Sequence, residues 1–303
     1  MNDRDWIILK TIAEERNITK AAERLYVSQP ALTYRLKLLE REFRVKILIR
    51  TPNGVILTPQ GEYLLTYSNE MLLRLTKMKE QLASFGDKVK GPLRIGSSAI
   101  FANYELPQLL HGFRELYPET EIFLKTGMSK QVRRMIEHEE VAVAIIRGDP
   151  EWKEEKHLLF DEPVCLVSKT PLEVEDLPNH PRIIYGTDSS LQSLVSEWWR
   201  KTFARPFIES MAVDTMDTCR RMVQQNLGWA ILPSIGLSEF DDLLLHPLFW
   251  PDGSPLIRKT WICYGAYAKE LPTVRAFIDY VIKQFSARDT ATTRATNGSL
   301  IVP

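Results

Sequence analysis

The 303-residue sequence contains few of the residues from which metal sites, disulfide frameworks and many catalytic centres are built. Its three cysteines, Cys165, Cys219 and Cys263, lie far apart and form no C-x-x-C pair, so we expect buried thiols rather than disulfides or a zinc site. The five histidines are scattered, and the sequence has no H-E-x-x-H, G-x-S-x-G or phosphate-loop motif. We therefore predict that the protein is not an enzyme and carries no metal or bound cofactor.

Long apolar runs are also missing. No stretch approaches the ~20 consecutive apolar residues that a membrane-spanning helix requires. The N-terminal stretch MNDRDWIILKTIAEE is acidic and amphipathic, whereas a secretory signal has a basic start followed by an apolar core. The sequence therefore predicts a cytoplasmic protein without a membrane partner.

The net charge is zero, but the charges are unevenly distributed along the chain. Residues 1–60 contain 11 Lys plus Arg and 7 Asp plus Glu, a balance of +4, and the other 28 basic and 32 acidic residues give −4. A positive excess at one end of a neutral chain favours contact with nucleic acid at that end.

A helix-turn-helix is predicted between residues 18 and 39. Ile18, Ala21, Ala22 and Leu25 have helical spacing, and a second helix is expected after Ser28, a favourable N-cap. The outer face of such a second helix can enter a DNA major groove, although an ordinary helical hairpin with a polar face fits this stretch equally well. The candidate DNA contacts are Thr19, Ser28, Gln29, Pro30, Thr33, Tyr34, Arg35 and Lys37.

A two-stranded wing is predicted to follow over residues 45–50 and 54–58, because Pro52-Asn53-Gly54 is a strong turn signal. Arg50 and Thr58 are candidate phosphate contacts. A surface ion pair is the alternative for Arg50.

The segment AAERLYVSQPALTYRLKLLEREFRVKILIRTPNGVILTPQGEYLL resembles the winged helix-turn-helix of LysR-type transcriptional regulators. The family pattern A-A-x-x-L-x-x-S-Q-P-A-L-S, followed by L-E-x-x-L-G, L-F-x-R and L-T-x-x-G, recurs almost in step, and its arginine falls at Arg50. Two departures are Thr33-Tyr34-Arg35 in place of Ser-Arg-Gln and Phe43-Arg44 in place of Leu-Gly. The resemblance implies a homodimer or homotetramer that binds an interrupted inverted repeat in double-stranded DNA, with RNA polymerase as a candidate partner.

A long helix is predicted over residues 59–85. Its apolar residues follow a heptad pattern, with Leu64, Met71, Met78 and Phe85 at one position and Ser68, Leu75 and Leu82 at the other. A narrow apolar seam of this kind is typical of a two-helix coiled coil, whereas a single globular amphipathic helix usually has a wider stripe. We therefore predict a dimerisation helix and hinge over residues 61–90, after a DNA-binding domain over residues 1–60.

Strands and helices alternate after residue 90, which predicts a mostly parallel sheet covered by helices. The rhythm repeats after Pro163, so we expect an α/β effector-binding domain of two lobes, similar in architecture to periplasmic binding proteins. Lobe 1 is predicted at about 91–163 and 267–288 and lobe 2 at about 164–266. Residues 289–303, rich in Thr, Ala, Ser and Asn, predict a disordered tail.

Polar residues at predicted strand ends indicate a ligand site in the cleft between the lobes. They are Ser97, Ser98, Ser129, Arg147 and Arg258. Two arginines with several hydroxyls suit a carboxylate, because a guanidinium pairs bidentately with that group. The alternatives are that Arg147 pairs with a nearby acid, Asp149 or Glu151, and that Arg258 is solvated surface.

Three further segments, IIRGDPEWK, VDTMDTCRRMVQQNLGWAILPS and LIRKTW, resemble the citrate-responsive catabolite-control subgroup of the family. That resemblance implies citrate as the small anionic effector, bound by Ser98, Arg147 and Arg258, and control of central carbon metabolism genes. Three alternatives remain open: an amino-acid-derived or aromatic effector, a solute-binding protein without gene regulation, and a constitutive DNA-binding protein with a vestigial cleft.

Overall fold

The computed structural model describes residues 1–83, 88–237 and 242–298, with the side chains at 77, 80, 81, 83 and 289–298 left out. The chain forms two compact units, residues 1–85 and 86–303. Residues 84–87, which include the heptad residue Phe85 and part of the predicted hinge, lie outside the described residues.

The first unit contains four helices and a hairpin. They are α1 (Asp3–Glu15), α2 (Ile18–Arg24), α3 (Gln29–Phe43), β1 (Leu48–Thr51), β2 (Gly54–Leu57) and α4 (Pro59–Ala83). The start of α3 follows from its sequence, because the Ser28 hydroxyl accepts a hydrogen bond from the Ala31 amide at 3.4 Å and Pro30 occupies the first turn. The helix-turn-helix predicted from the sequence is confirmed.

The core of this unit forms where α1, α2 and α3 pack together. Leu9, Ile12, Leu32, Leu36 and Leu39 are buried there. Ala21 and Ala22 are buried as well, as their predicted place on the packed face of α2 requires. Ala31 is exposed because it lies in the first turn of α3, before that helix reaches the core.

The wing is an antiparallel hairpin in which Thr51 lies opposite Gly54. Gly54 has φ +128°, and a Cβ at this position would lie 2.2 Å from the Arg16 carbonyl oxygen. The same carbonyl accepts a hydrogen bond from the Val55 amide at 2.8 Å. The wing is therefore held against the end of α1, at a distance that only glycine allows.

The second unit alternates strands and helices. Its elements are β3 (Gly91–Ser98), α5 (Ala99–Tyr104), α6 (Leu106–Leu116), β4 (Thr120–Gly127), α7 (Ser129–Glu137), β5 (Val143–Arg147), β6 (Glu155–Ser168), a 3-10 helix (Val174–Asn179), β7 (Pro181–Tyr185), α8 (Ser189–Thr202), β8 (Ile208–Val213), α9 (Met216–Gln224), β9 (Ala230–Pro233), β10 (Leu244–Pro247), β11 (Ile257–Tyr264), a second 3-10 helix (Ala266–Glu270) and α10 (Pro272–Gly298).

One sheet has the strand order β10-β6-β11-β5-β3-β4, with β9 also paired to β6, and β7 and β8 form a separate parallel pair. β3 is parallel to β4 and β5, whereas β11 is antiparallel to both β5 and β6. The predicted α/β class and two-lobed domain are confirmed.

Two strands carry the chain between the lobes. β6 pairs with β11 up to Pro163 and with β9 from Val164 onward, so the chain leaves the first lobe near residue 163. On the return, Thr260 of β11 lies opposite Arg147 on β5. β11 therefore lies in the sheet of the first lobe, although the predicted bounds assign residues 257–264 to the second.

The final helix, α10, continues through residue 298, so residues 289–298 are helical where the sequence predicts a disordered tail. Residues 299–303 lie outside the described part of the chain. Within the described residues, no helix combines the length and the apolarity that crossing a membrane would require.

Candidate functional site

The outer face of α3 and the adjoining turn form an exposed polar surface. Gln29, Pro30 and Lys37 are exposed, and so are Ser28 at the cap and Thr19 on α2. Tyr34, at 63% exposed, stands on the same helix. This surface presents a hydrogen-bonding amide, an aromatic ring and a cation, which are groups that can contact base edges and phosphates.

An additional aromatic residue, Tyr26, adjoins this surface in the turn between α2 and α3. Its side chain is 97% exposed, and its φ of +54° is in the left-handed region. Tyr26 is not among the DNA contacts predicted from the sequence. An aromatic residue two positions before the Ser28 cap was the available signal.

Arg35 has a different role from the exposed residues of α3. Its Nε and Nη2 donate to the two carboxylate oxygens of Asp5 on α1, at 2.6 and 2.7 Å. Burial alone would raise the pKa of Asp5, but the Arg35 hydrogen bond and charge, together with the Asn2 amide, outweigh it and hold that pKa below its ordinary value. The arrangement makes Arg35 a link between α3 and α1, where the sequence suggested a base contact.

Two threonines among the predicted contacts are also turned inward. Thr58 is buried, and its hydroxyl donates to the Lys46 carbonyl at 2.5 Å and accepts from the Gly61 amide at 3.0 Å, which caps the start of α4. This role replaces the phosphate contact expected of Thr58. Thr33 is half-buried. Arg50, in contrast, is exposed and has no ion-pair partner among the described residues, so it stays available to a phosphate.

The helix α4 leaves part of its predicted seam exposed. Met78 and Leu82 are 48% and 59% exposed, and Tyr63 and Tyr67 nearer its start are exposed too. Ser68 is buried, and its hydroxyl donates to the Leu64 carbonyl. The exposed apolar groups make this helix a candidate surface for a second copy of the chain.

The second unit contains a cleft of about 290 Å³ at the carboxyl ends of β3, β4 and β5. Four of the five predicted effector residues line it: Ser98, Ser129, Arg147 and Arg258. The fifth, Ser97, is fully buried and its hydroxyl donates to the Ser98 carbonyl at 3.2 Å. The cleft thus brings together residues that are 160 positions apart (258 − 98) in the chain.

Arg147 is only 2% exposed and pairs with Glu162 on β6, not with Asp149 or Glu151 as the sequence alternative had it. The second oxygen of Glu162 accepts from the Ile235 amide at 2.9 Å. The Arg147 amide donates to the Ser129 hydroxyl at 3.2 Å, which ties the end of β5 to the start of α7. Among the described residues, the Arg147 Nε has no hydrogen-bond partner.

Arg258 is 3% exposed and its Nη2 donates to Asp188. Burial, reinforced by the neighbouring charge of Arg147, lowers the pKa of Arg258. Within the described chain, its Nε and Nη1 lack hydrogen-bond partners, and so does the buried hydroxyl of Ser98. Buried donors normally have partners, so this cluster has the unused bonding capacity expected of a ligand site.

Sequence reasoning missed Glu162 and Asp188, the two carboxylates that pair with the arginines. Asp188 carried a local signal, because Asp-Ser-Ser-Leu before a helical stretch predicts an N-cap. Glu162 carried none, since its pairing with Arg147 depends on the neighbouring strands. Gly148 completes the arrangement: with φ +90°, its missing Cβ lets the end of β5 approach the Ser190 hydroxyl, which lies 2.1 Å from the Cβ position.

All three cysteines are buried, as the sequence predicts, and their thiols are free. Burial raises the pKa of Cys165 to about 11 and those of Cys219 and Cys263 to about 12. Such thiols stay protonated and weakly reactive. Across the described residues, no group of His, Cys, Asp and Glu has the arrangement of a metal site.

Each of the two units matches the model of a known protein family. Residues 4–62 match the model of the bacterial regulatory helix-turn-helix protein, lysR family, and residues 86–286 match that of the LysR substrate binding domain. The uncharacterized HTH-type transcriptional regulator YraN of Bacillus subtilis is 38% identical over 93% of this chain and 97% of its own length. YkuM of the same organism, also described as an uncharacterized HTH-type transcriptional regulator, is 34% identical over 90% and 94%.

Solved structures show the same fold. Full-length CbnR complexed with its target DNA has a TM-score of 0.71 at 19% identity, covering 93% of this chain and 99% of that one. A full-length OxyR variant from Pseudomonas aeruginosa has a TM-score of 0.64 at 23% identity, covering 94% of each chain. These family models and relatives are transcriptional regulators, not enzymes.

Proposed function

The chain belongs to the LysR family of DNA-binding transcriptional regulators, and on that premise we propose that it binds an interrupted inverted repeat as a homo-oligomer under the control of a small carboxylate. The observation that carries the effector part is the pair of buried arginines that line one cleft with Ser98 and have donors without partners among the described residues. Citrate or a related carboxylate of central carbon metabolism is the first candidate, and RNA polymerase is a candidate partner at the promoter.

DNA binding in this proposal uses the exposed groups of α2, α3 and the wing. Gln29 can pair bidentately with adenine, while Lys37 and Arg50 can reach guanine or phosphate. Two copies joined along α4 would present two such helices with the two-fold symmetry of an inverted repeat, and the exposed Met78 and Leu82 support that pairing.

Effector control follows from the position of the cleft between two lobes. The cleft is lined by Ser98 and Arg147 of the first lobe and by Thr187 and Asp188 of the second, so a carboxylate held there would contact both lobes. It would therefore favour one arrangement of the lobes over another, and that difference in affinity is sufficient for allosteric control of operator binding.

Gln29→Ala tests the DNA-binding surface. Loss of one bidentate base contact should weaken binding to the operator about 5- to 150-fold, as expected for 1–3 kcal/mol. Glu23→Ala, which removes another exposed side chain of the helix-turn-helix at a position on α2, is the control. Equal footprints for Gln29→Ala and wild type would contradict the assignment of α3 as the recognition helix.

The effector proposal is tested by thermal unfolding with citrate, isocitrate, dicarboxylates, amino acids and aromatic acids. A ligand at a hundredfold its dissociation constant adds about 2.7 kcal/mol, which raises the midpoint of a 200-residue unit by roughly 5–10 °C. Arg258→Met should remove the shift. Lys259→Met, the exposed neighbour on the same strand, should keep it. A shift with neutral compounds only would retain the regulator and reject a carboxylate effector.

A further inference from the structure

The Asp188 side chain, at the cleft, contacts both the start of α8 and Arg258. One carboxylate oxygen, Oδ1, accepts from the Ser190 and Leu191 amides at 3.1 Å each and from the Ser190 hydroxyl at 2.9 Å, which caps α8. The other oxygen, Oδ2, lies against the Arg258 Nη2, and the Ser129 hydroxyl is 3.5 Å away. Only the first oxygen is needed to hold the helix.

The second oxygen takes the donor that a ligand carboxylate needs most. A guanidinium offers paired donors along two edges, Nε with Nη2 and Nη1 with Nη2, so Nη2 belongs to both. In Arg258 the two donors without partners are Nε and Nη1, one from each edge. Since Nη2 carries one N–H toward each edge, a ligand carboxylate that pairs bidentately along the edge used by Asp188 must replace the Asp188 contact.

The charges around the cleft also indicate that an anionic ligand competes with carboxylates of the chain. Each arginine already has one buried carboxylate beside it, Glu162 for Arg147 and Asp188 for Arg258. Burial alone would raise the pKa of Asp188, but the Arg258 charge and the hydrogen bonds from Leu191 and Ser190 hold it below its ordinary value, so Asp188 is ionised at neutral pH. Asp214 and Asp217 also line the cleft, so the positive charge of the two arginines is already balanced before an anionic ligand enters.

The two acids differ in how easily they can be displaced. The Glu162 carboxylate is held between Arg147 and the Ile235 amide, with its side chain 4% exposed. Asp188 is 13% exposed, and it also lines a second polar cavity of about 380 Å³ with the exposed Lys130. Asp188 is therefore the more accessible of the two carboxylates.

We propose that Asp188 is an internal counter-ion that occupies the Arg258 end of the effector site, and that the effector's carboxylate binds by displacing the Asp188 Oδ2 from the guanidinium. This inference rests on the proposed carboxylate effector. Asp188 then sets the affinity of the site for carboxylates, because a carboxylate that binds along that edge of Arg258 must compete with it. Displacement also releases the start of α8 from Arg258 and from Ser129 on α7.

Asp188→Asn separates the two roles of this side chain. Asparagine is as good an N-cap as aspartate, so α8 keeps its cap while the competing charge is removed and an amide donor faces the ligand. Because the competing negative charge beside Arg258 is removed, carboxylate binding should tighten by at least about tenfold. Asp252→Asn is the matched control, since Asp252 is exposed and caps the turn at Ser254 outside the cleft.

The measurement is calorimetric titration of the full chain with citrate and with succinate. The expected result is a dissociation constant at least tenfold lower in Asp188→Asn, unchanged in Asp252→Asn, with the gain lost in the double variant Asp188→Asn with Arg258→Met. Equal or weaker binding in Asp188→Asn, while the wild type binds, overturns the inference and leaves the proposed function standing. Absence of carboxylate binding to the wild type and to Asp188→Asn alike overturns both.

Discussion

Replacing Arg35 by alanine removes the partner of a carboxylate that is completely buried. Asp5 has no exposed side-chain surface, whereas Arg35 is 38% exposed. Removing one member of a buried ion pair costs about 3–5 kcal/mol of stability, because the other charge is left buried without a partner. An exposed ion pair contributes only about 0–1 kcal/mol to stability. This half-exposed pair falls between those limits, so we expect Arg35→Ala to destabilise the first unit by about 2 kcal/mol.

Hydrogen exchange followed by mass spectrometry measures this in the full chain, because peptides from α1 and α3 report the opening of that unit separately. A loss of 2 kcal/mol corresponds to about 30-fold faster exchange of their slowest amides. Asp5→Asn in the Arg35→Ala background should recover part of the loss, since a neutral amide is less costly to bury than an unpaired carboxylate. Gln29→Ala, on the exposed face, should leave exchange unchanged.

The same pair makes the stability depend on pH in a defined direction. The pKa of Asp5 is lowered in the folded chain, so its stabilising contribution is complete above the unfolded value of 3.8 and is lost as the pH falls through the folded value. The difference between wild type and Arg35→Ala should therefore shrink in acid. Unchanged exchange in Arg35→Ala together with lost operator binding would refute this reasoning and restore Arg35 as a base contact.

Three further outcomes are expected. Gly54→Ala should destabilise the wing by about 2 kcal/mol or more, seen as faster exchange of β1 and β2, because its φ and the Arg16 carbonyl both exclude a side chain. The double variant Met78→Asp with Leu82→Asp should shift the chain toward monomer in analytical ultracentrifugation, because two charges would then lie on the exposed seam. Cys219 should resist iodoacetamide at pH 8 in the native protein and react after denaturation, because its pKa is about 12.

Each of these outcomes has a result that contradicts it. Unchanged exchange in the wing would mean that the hairpin tolerates a side chain at Gly54. An unaltered oligomer would place the subunit contact away from the end of α4. Rapid labelling of native Cys219 would mean that the core around α9 opens readily.

Local signals in the sequence were sufficient for the N-terminal unit. The Ser28 cap, the Pro30 first turn and the Pro52-Asn53-Gly54 turn each act within a few residues, and the structure contains the helix and the hairpin that they predict. The alternation of strands and helices likewise predicted the α/β class, because periodicity reports which face of each element is buried.

The partners of charged side chains were decided only by the tertiary structure. Arg35 and Asp5 lie 30 positions apart and Arg258 and Asp188 lie 70 apart, so no local pattern pairs them. Residue type indicated that Arg147 and Arg258 could bind an anion, but the packing of β6, β11 and α8 determined which carboxylates of the chain pair with them. The sequence therefore determined which elements form and what chemistry they carry, and the folded chain decided which donors remain for DNA and effector.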